Sequence, residues 1–390
     1  MPKHDICFVG LKCYDLLTGA AVPRYLGGIE KLLVSMARGL CARGLKVAFI
    51  TYDHGQVDAE VVDGITIYKC FATADGYPGV RFFHPRMTKL WSAMRRAEAA
   101  LYFQMGAGTE TGNVALGCQY FVKPKSVFVF SVASDKDADS GGLKRLPRRE
   151  RSLYLYGLKS ADLLIAQTAK QKEMLKSSLG FDSMVMAMPI ETPDRVDITE
   201  KANRRPERHH VLWVGRIIET KRLEFLFEVA VRCPDVIFDV VGTPNQQSGY
   251  YKALVEQAEA LPNVILHGRV EEGVLPRLYR DSSLLVCTSV LEGFPTTFLE
   301  AWSHGVPVVT TFDPDDIVAN NRLGRVVTDV NEMVSALTAM TTSPQVWQLA
   351  AQATVDYFDR HYTLDAILPV FESRCAALID VPSGFSSSVS

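Results

Sequence analysis

The run EGFPTTFLEAWSHGVPVV, Glu292 to Val309, places a loop, a helix and a buried strand in one short stretch, and the fold is read outward from it. Glu292 lies in a loop that Gly293 and Pro295 keep out of regular structure. Thr296 or Thr297 is placed to cap the helix that follows, and Glu300 falls in its first turn or just beyond. Gly305 ends the helix before the apolar run Val306 to Val309. A helix feeding a short strand without polar alternation is half of a parallel α/β unit, because such strands are covered on both faces. The same stretch carries chemistry. The open amides of a helix N-terminus form an anion site, and two carboxylates beside it suit the hydroxyls of a ribose or a sugar. Glu300 is also readable as an ordinary early-helix glutamate favoured by the macrodipole.

Upstream, VLWVGRIIETK (Val211 to Lys221) puts Arg216 at the exit of a strand and Lys221 at the start of a helix. Two cations at that edge neutralise a diphosphate, Arg as a planar fork and Lys as a point charge; charges on a solvated helix are the other reading. Further strands are expected at Val236 to Val241, Val264 to His267 and Leu284 to Cys287, with a helix over Tyr250 to Ala260. The same alternation occupies the first half. Strands are read at Ile6 to Leu11, Val47 to Ile50, Ile65 to Tyr68, Leu101 to Gln104, Val127 to Phe130 and Leu163 to Ala166. A helix from Gly28 shows Ile29, Leu32, Leu33, Met36 and Leu40 on one stripe. Between them, ETPDRVDITEKANRRPERHH loses its periodicity and reads as a linker. The expected architecture is α/β: two Rossmann-like domains with parallel sheets facing a central cleft, where ligands bind beyond the carboxyl ends of the strands. The boundaries read as a first domain over 1–190, a linker over 191–208, a second domain over 209–360, a final helix over 361–379 and an unordered tail over 380–390.

Composition agrees with a soluble two-domain protein of 390 residues, 47% hydrophobic and 22% charged, with no apolar run long enough to span a bilayer. No secretory signal is read at the N-terminus. The net charge of −2 conceals an asymmetry: residues 1–200 hold 26 Lys and Arg against 21 Asp and Glu. The excess is densest at Lys144, Arg145, Arg148, Arg149 and Arg151, which reads as a solvated helix end or as a surface for anionic lipid. The eight cysteines form no CxxC pair and suit a reducing cytoplasm.

GGIE at Gly27 to Glu30, ADLLIAQT at Ala161 to Thr168, VGRIIETK at Val214 to Lys221, and Glu292 with Glu300 in E-x7-E spacing follow in order along the chain. In these landmarks, from Gly27 to about Phe371, the chain resembles the family 4 glycosyltransferases, retaining enzymes of the GT-B fold. The resemblance implies that Arg216 and Lys221 hold the donor's diphosphate and stabilise the leaving group, and that Glu292 sits beside the donor sugar. It implies that Glu300 binds the ribose, that Gly215 and the amides of Gly293, Phe294, Pro295, Thr296 and Thr297 border the donor, and that the base lies near Arg269 and Val270. Gly27 and Gly28 bring the other domain's backbone to the phosphates, and the resemblance implies that the final helix, with Leu364 to Leu378, crosses back to the first domain. The implied reaction moves a sugar, in hexosyltransferase fashion, from a nucleoside-diphosphate sugar to a hydroxyl of a glycan or lipid-linked acceptor. No metal or other cofactor is implied. The setting is surface polysaccharide or glycolipid assembly, in the cytoplasm and peripherally on the inner face of the membrane.

One departure stands out. Many members carry a histidine in the loop after the fifth strand of the first domain, and here that loop reads SVASDKDAD, without one. Ser131, Ser134 or Asp135 fills its place or the role is absent, and Ser134 and Asp135 are the acceptor-side candidates. Asp135 and Asp137 form a D-x-D that reads as a solvated loop or an acceptor contact before it reads as a metal site. Gly106, Gly108 and Gly112 are one residue too widely spaced for a dinucleotide fingerprint, and His209 with His210 lack a partner at zinc-ligand spacing. Nucleic-acid binding lacks both a high pI and a stacking motif. Two rivals share the fold: a UDP-sugar 2-epimerase and an inactive nucleotide-sugar-binding protein.

Overall fold

In the strand His4–Val9 (β1) the side chains of Ile6 and Phe8 and those of Cys7 and Val9 point to opposite faces, and all four are buried. Only a sheet covered on both sides permits that, and the neighbouring strands show the same pattern. The computed structural model describes residues 2–25, 27–77, 81–194, 197–203, 208–242, 249–271 and 273–379. The expected tail over 380–390, and part of the expected linker, lie outside the described residues. The chain divides into two compact units, one running to Thr18, from Tyr25 to Pro189 and from Leu364 onward, the other comprising Gly19–Arg24 and Ile190–Thr363.

In the first unit β1 is joined by Val47–Thr51 (β2), Ala59–Val62 (β3), Ile65–Lys69 (β4), Ala99–Met105 (β5), Val127–Ser131 (β6), Leu163–Ala166 (β7) and Met184–Val185 (β8). Among the described residues these form one sheet in the order β3-β4-β2-β1-β5-β6-β7-β8. Every pairing is parallel except β3 with β4, an antiparallel hairpin turned by Asp63 and Gly64 at positive φ. The sequence reading has no counterpart of β3 or β8. β3 alternates exposed and half-buried positions at an edge, and β8 is two residues long, so neither makes an apolar run.

The second unit holds His209–Val214 (β9), Val236–Val241 (β10), Val264–Gly268 (β11), Leu284–Cys287 (β12), Val308–Thr310 (β13) and Gly324–Val326 (β14). They form a parallel sheet in the order β11-β10-β9-β12-β13-β14. β13 starts at Val308 instead of the expected Val306. The Val306 amide closes the preceding helix by donating to Ala301, and Pro307 has no amide to give. β14 was not anticipated, since Gly324 and Arg325 break any apolar run.

The helix Leu364–Ile379 packs within the first unit, against the helix Gly28–Ala42 and β5. Phe371 meets Phe103 edge-on at 5.7 Å, and Arg43 holds Glu372 through two hydrogen bonds at 2.6 and 3.1 Å. Gly39 lets the two helices approach, since a Cβ there would stand 2.7 Å from methyls of Leu364 and Leu368.

Gly112, the last glycine of the overlong motif, has a packing role of the same kind. A Cβ on it would stand 2.4 Å from the carbonyl oxygen of Leu153, where the helices Thr109–Leu116 and Arg148–Ser160 cross. Gly112→Ala must push the two backbones apart, and the expected cost is about 1–3 kcal/mol, read as a lower urea midpoint at unchanged slope. An unchanged midpoint would show that the crossing relaxes without cost.

Candidate functional site

Strand order in the second unit reverses between β9 and β12: the chain runs outward from β9 through β10 to β11, then returns to β12 and leaves in the opposite direction. Crevices for ligands open where the order reverses, beyond the carboxyl ends of the strands. The loops leaving β9 and β12 are those that carry Gly215 to Lys221 and Glu292 to Pro295.

These loops are laced together. Val290 N–H donates to Thr220 C=O at 3.1 Å, and the Thr288 hydroxyl donates to Lys221 C=O at 2.5 Å while accepting from Trp213 Nε1 at 3.0 Å. Arg222, at φ +47°, sends Nε to Thr288 C=O at 2.8 Å and a second nitrogen to Thr311 Oγ1 at 2.9 Å. The Thr311 hydroxyl donates in turn to Ser289 C=O at 3.0 Å. On this frame Lys221 Nζ ion-pairs with Glu292 Oε1, and the Ser289 hydroxyl donates to the same oxygen at 2.6 Å. Both charged side chains are half-buried, which strengthens the pair relative to one in open water.

Lys221 does not begin a helix, as the sequence suggested. It ends the 3₁₀ turn Glu219–Lys221, and the helix runs Leu223–Arg232, because the left-handed Arg222 stands between the two. Arg216 is exposed, and its guanidinium forms no hydrogen bond or ion pair with a described residue. Among the described residues no carboxylate claims it.

The helix Thr296–Ser303 is preceded by Pro295 at its N-cap, with no side chain capping it. The expected cap by Thr296 or Thr297 is therefore corrected: both lie inside the helix, and its first amides stay available to an anion. Glu300 is in the second turn. Its Oε2 accepts from the hydroxyl of buried Tyr279 at 2.8 Å, and the His304 ring stacks on Tyr279 with centroids 5.6 Å apart. His304 Nδ1 lies 2.7 Å from Glu300 C=O, an atom that only accepts, so Nδ1 carries the proton; burial lowers the His304 pKa and keeps the ring neutral.

At the exit of β11, Gly268 takes φ +64° and its carbonyl accepts from Gly242 N–H at 2.9 Å. Arg269 is exposed and Val270 half-buried. His210, which has no partner at zinc-ligand spacing in the sequence, has a carboxylate beside it in space: its Nδ1 lies 2.6 Å from Oδ2 of buried Asp239, whose Oδ1 lies 2.7 Å from His267 Nε2. Three adjacent strands bring these residues to one face, a spacing that no sequence motif shows.

Gly27 and Gly28 belong to the first unit, as the N-cap and first residue of the helix Gly28–Ala42. Gly27 has φ −124°, open to any residue, and a Cβ there would meet the Glu30 carboxylate at 2.3 Å. The acceptor-side candidates are engaged in structure. Ser134 is the N-cap of the short helix Asp135–Ala138 and forms a capping box with Asp137, which accepts from Ala133 N–H at 3.0 Å and Ser134 Oγ at 3.0 Å. Burial raises the Asp137 pKa against these hydrogen bonds. Asp135 is buried, ion-paired with Lys170 at 2.7 Å and in reach of Gln171. The D-x-D is thus neither a solvated loop nor an open pair, and the described residues contain no group of three metal-ligating side chains.

Sequence reading missed Ser289, Arg222, Tyr279 and His304. Ser289 stands three residues before Glu292, the one signal available. Tyr279 lies in the helix Val274–Asp281, which the sequence reading passed over because Pro276 interrupts its pattern.

Residues 208–343 match the family model of the glycosyl transferases group 1. An uncharacterized glycosyltransferase of Methanocaldococcus jannaschii is 24% identical over 76% of this chain and 79% of its own length. Among solved structures, a sucrose-phosphate synthase from Thermosynechococcus elongatus superposes with TM-score 0.76 at 17% identity, covering 96% of this chain and 99% of its own. HepE of Anabaena, solved with UDP-glucose, superposes with TM-score 0.72 at 14% identity over 96% of this chain and 100% of its own. The fold is that of the GT-B glycosyltransferases, two Rossmann-like units with parallel sheets, and the segment that matches the group 1 model lies within the second unit.

Proposed function

We propose that the chain is a retaining, family 4 type glycosyltransferase that moves a sugar from a nucleoside-diphosphate donor to a hydroxyl of a glycan or lipid-linked acceptor in surface polysaccharide or glycolipid assembly. The observation that carries this reading is the uncapped helix at Thr296, with the Lys221–Glu292 pair on one side and Glu300 further along, inside the segment that matches the group 1 family. HepE's structure with UDP-glucose supports the donor class.

In this reading the diphosphate meets the first amides of the helix, Arg216 and Lys221. Lys221 is paired before the donor arrives, so the diphosphate competes with Glu292 for it, and Glu292 turns to a sugar hydroxyl as its cation is drawn to the phosphate. Glu300, held by Tyr279, accepts from the ribose. As the anomeric bond breaks, charge grows on the leaving phosphate, where the two cations stabilise it. A front-face path with that phosphate as base gives retention. The residues named supply the positive charge without a metal ion, so transfer is expected to survive a chelator.

A thermal-shift panel of nucleotide sugars tests the donor site: a true donor at about 100 times its dissociation constant stabilises by roughly 2.7 kcal/mol. That shift is expected to vanish in Glu300→Ala. A panel with no stabilising nucleotide sugar, and no release of nucleoside diphosphate on turnover, would reject the proposal.

The cytoplasmic, membrane-peripheral setting is part of the same proposal. Lys144, Arg145, Arg148 and Arg149 are exposed and Arg151 is half-buried. Arg149 stands 4.0 Å from the Phe82 ring, and Phe83, 61% exposed, packs edge-on against Phe82. Basic side chains beside an exposed aromatic suit an anionic bilayer surface. Binding to anionic vesicles at low salt is expected, with release at about 1 M salt, where the screening length is about 3 Å. Sedimentation unaffected by neutralising the five basic residues would count against it and favour a soluble acceptor. Among the described residues no helix is long and apolar enough to cross a membrane.

A further inference from the structure

The first unit has its own reversal of strand order, between β1 and β5, since the chain goes from β1 to β2 and β4 on one side and then from β5 to β8 on the other. The loops leaving β1, β2 and β5 emerge there side by side. They bring together an aromatic group in which Tyr52 rests on the core while Tyr14 and His54 reach beyond it.

Tyr14, from the β1 loop, and His54, from the β2 loop, lie with ring centroids 5.7 Å apart and planes inclined at 44°. Tyr52 meets His54 edge-on at 6.4 Å and is anchored behind by Phe71 at 5.4 Å. Tyr25 sits under Lys12, whose Nζ is 5.4 Å from its ring. Tyr14, Tyr25, Tyr52 and His54 are each half-buried, so every ring keeps part of its surface in water.

The β2 loop is fixed. Tyr52 N–H donates to Leu11 C=O at 2.8 Å, which ties it to the β1 loop. Gln56 spans it from within: its Nε2 donates to Tyr52 C=O at 2.7 Å and its Oε1 accepts from His54 N–H at 2.6 Å. Lys69 Nζ then donates to Gln56 C=O at 2.7 Å. A loop held this firmly, with aromatic rings at its exposed side, is built for presentation.

Glu110 opens the helix after β5, in the first turn. The Tyr52 pKa is pushed up to about 12, mainly by burial and next by the nearby Glu110 carboxylate, so the phenol stays a proton donor near neutral pH. Rings with polar edges match a pyranose, which has an apolar C–H face and a rim of hydroxyls.

We propose that Tyr14, Tyr52 and His54 form a carbohydrate-binding subsite that seats a sugar ring of the acceptor. This rests on the reading of the chain as a glycosyltransferase and names its acceptor as a glycan end, not a bare lipid phosphate. It also accounts for Ser134 and Asp135 being consumed in capping and ion pairing: acceptor recognition lies two loops away from where sequence placed it.

The test is saturation-transfer NMR on the full chain with UDP present, using maltotriose, cellotriose and chitotriose as probes at millimolar concentration. Transfer to at least one trisaccharide is expected, reduced several-fold in Tyr14→Ala, His54→Ala and the milder His54→Gln, and retained in Glu300→Ala. A UDP-glucose thermal shift on the same variants reports both folding and the donor site: it is expected to persist in the Tyr14 and His54 variants and to vanish in Glu300→Ala. No transfer to any of the three probes, or transfer equal in wild type and the His54 variants, overturns the proposal. A wild type that no nucleotide sugar of the panel stabilises would instead overturn the nucleotide-sugar reading, with the sugar result still deciding this one.

Discussion

Arg216→Ala is expected to lower turnover by about 10²- to 10³-fold while donor affinity falls less than about tenfold, read as nucleoside diphosphate released against donor concentration. Arg216 is exposed and its guanidinium forms no hydrogen bond or ion pair with a described residue, so its removal costs the fold little. Whatever is lost is then lost from the reaction, where leaving-group charge is far larger in the transition state than in the bound donor. Lys221→Ala should behave differently. It strips the cation from a half-buried Glu292, which would then confront the diphosphate with unneutralised charge. Donor affinity and turnover should fall together, and adding Glu292→Gln should restore affinity without restoring turnover. Such non-additivity is the mark of groups in contact, and simple additivity of the two substitutions would show that the ion pair has no part in binding. Equal, purely structural losses in Arg216→Ala and Lys221→Ala would remove both from the leaving-group role.

How much of this could be read in advance depends on how local the cause is. The central strands were legible because each is a short apolar run buried on both faces: Leu163–Ala166, Val236–Val241 and Leu284–Cys287 begin and end where the sequence places them. Edge strands such as Ala59–Val62 were not, because half of their residues face water. Glu292 and Glu300 were legible as a spaced pair beside a helix start. Their partners were not, because Lys221, Ser289 and Tyr279 meet them through loops and a helix whose register depends on the whole unit. Asp135 and Asp137 show the converse failure. A D-x-D looks available in one dimension, but the first turn of the helix Asp135–Ala138 and the neighbouring Lys170 consume both carboxylates. The Asp239 pair of histidines is the same lesson with the sign reversed, a contact set made only by strand register.

Trp302→Ala is expected to cost about 3–5 kcal/mol, enough to lower the melting temperature by roughly 10 °C for a unit of this size. The side chain is fully buried on the inner face of the helix Thr296–Ser303, with Phe298, Tyr357 and Tyr362 rings 5.7, 5.8 and 5.9 Å away. Phe294, from the Glu292–Pro295 loop, rests edge-on against it at 6.1 Å and lies tilted at 35° to Tyr362 at 5.3 Å. A cavity here removes the floor under the loop that holds Glu292, so the variant should also bind donor more weakly than its fraction folded accounts for. The buried indole N–H has no acceptor among the described residues, and such an orphan costs about 1–3 kcal/mol where it stands. Trp302→Phe removes that orphan and keeps most of the ring, so it should lose only about 1 kcal/mol and leave donor affinity unchanged. If Phe were as damaging as Ala, the indole N–H must have a partner after all. If Ala destabilised the fold yet left donor affinity intact, the loop would be positioned by the Lys221–Glu292 pair and Ser289 alone, and the aromatic cluster would matter for stability only.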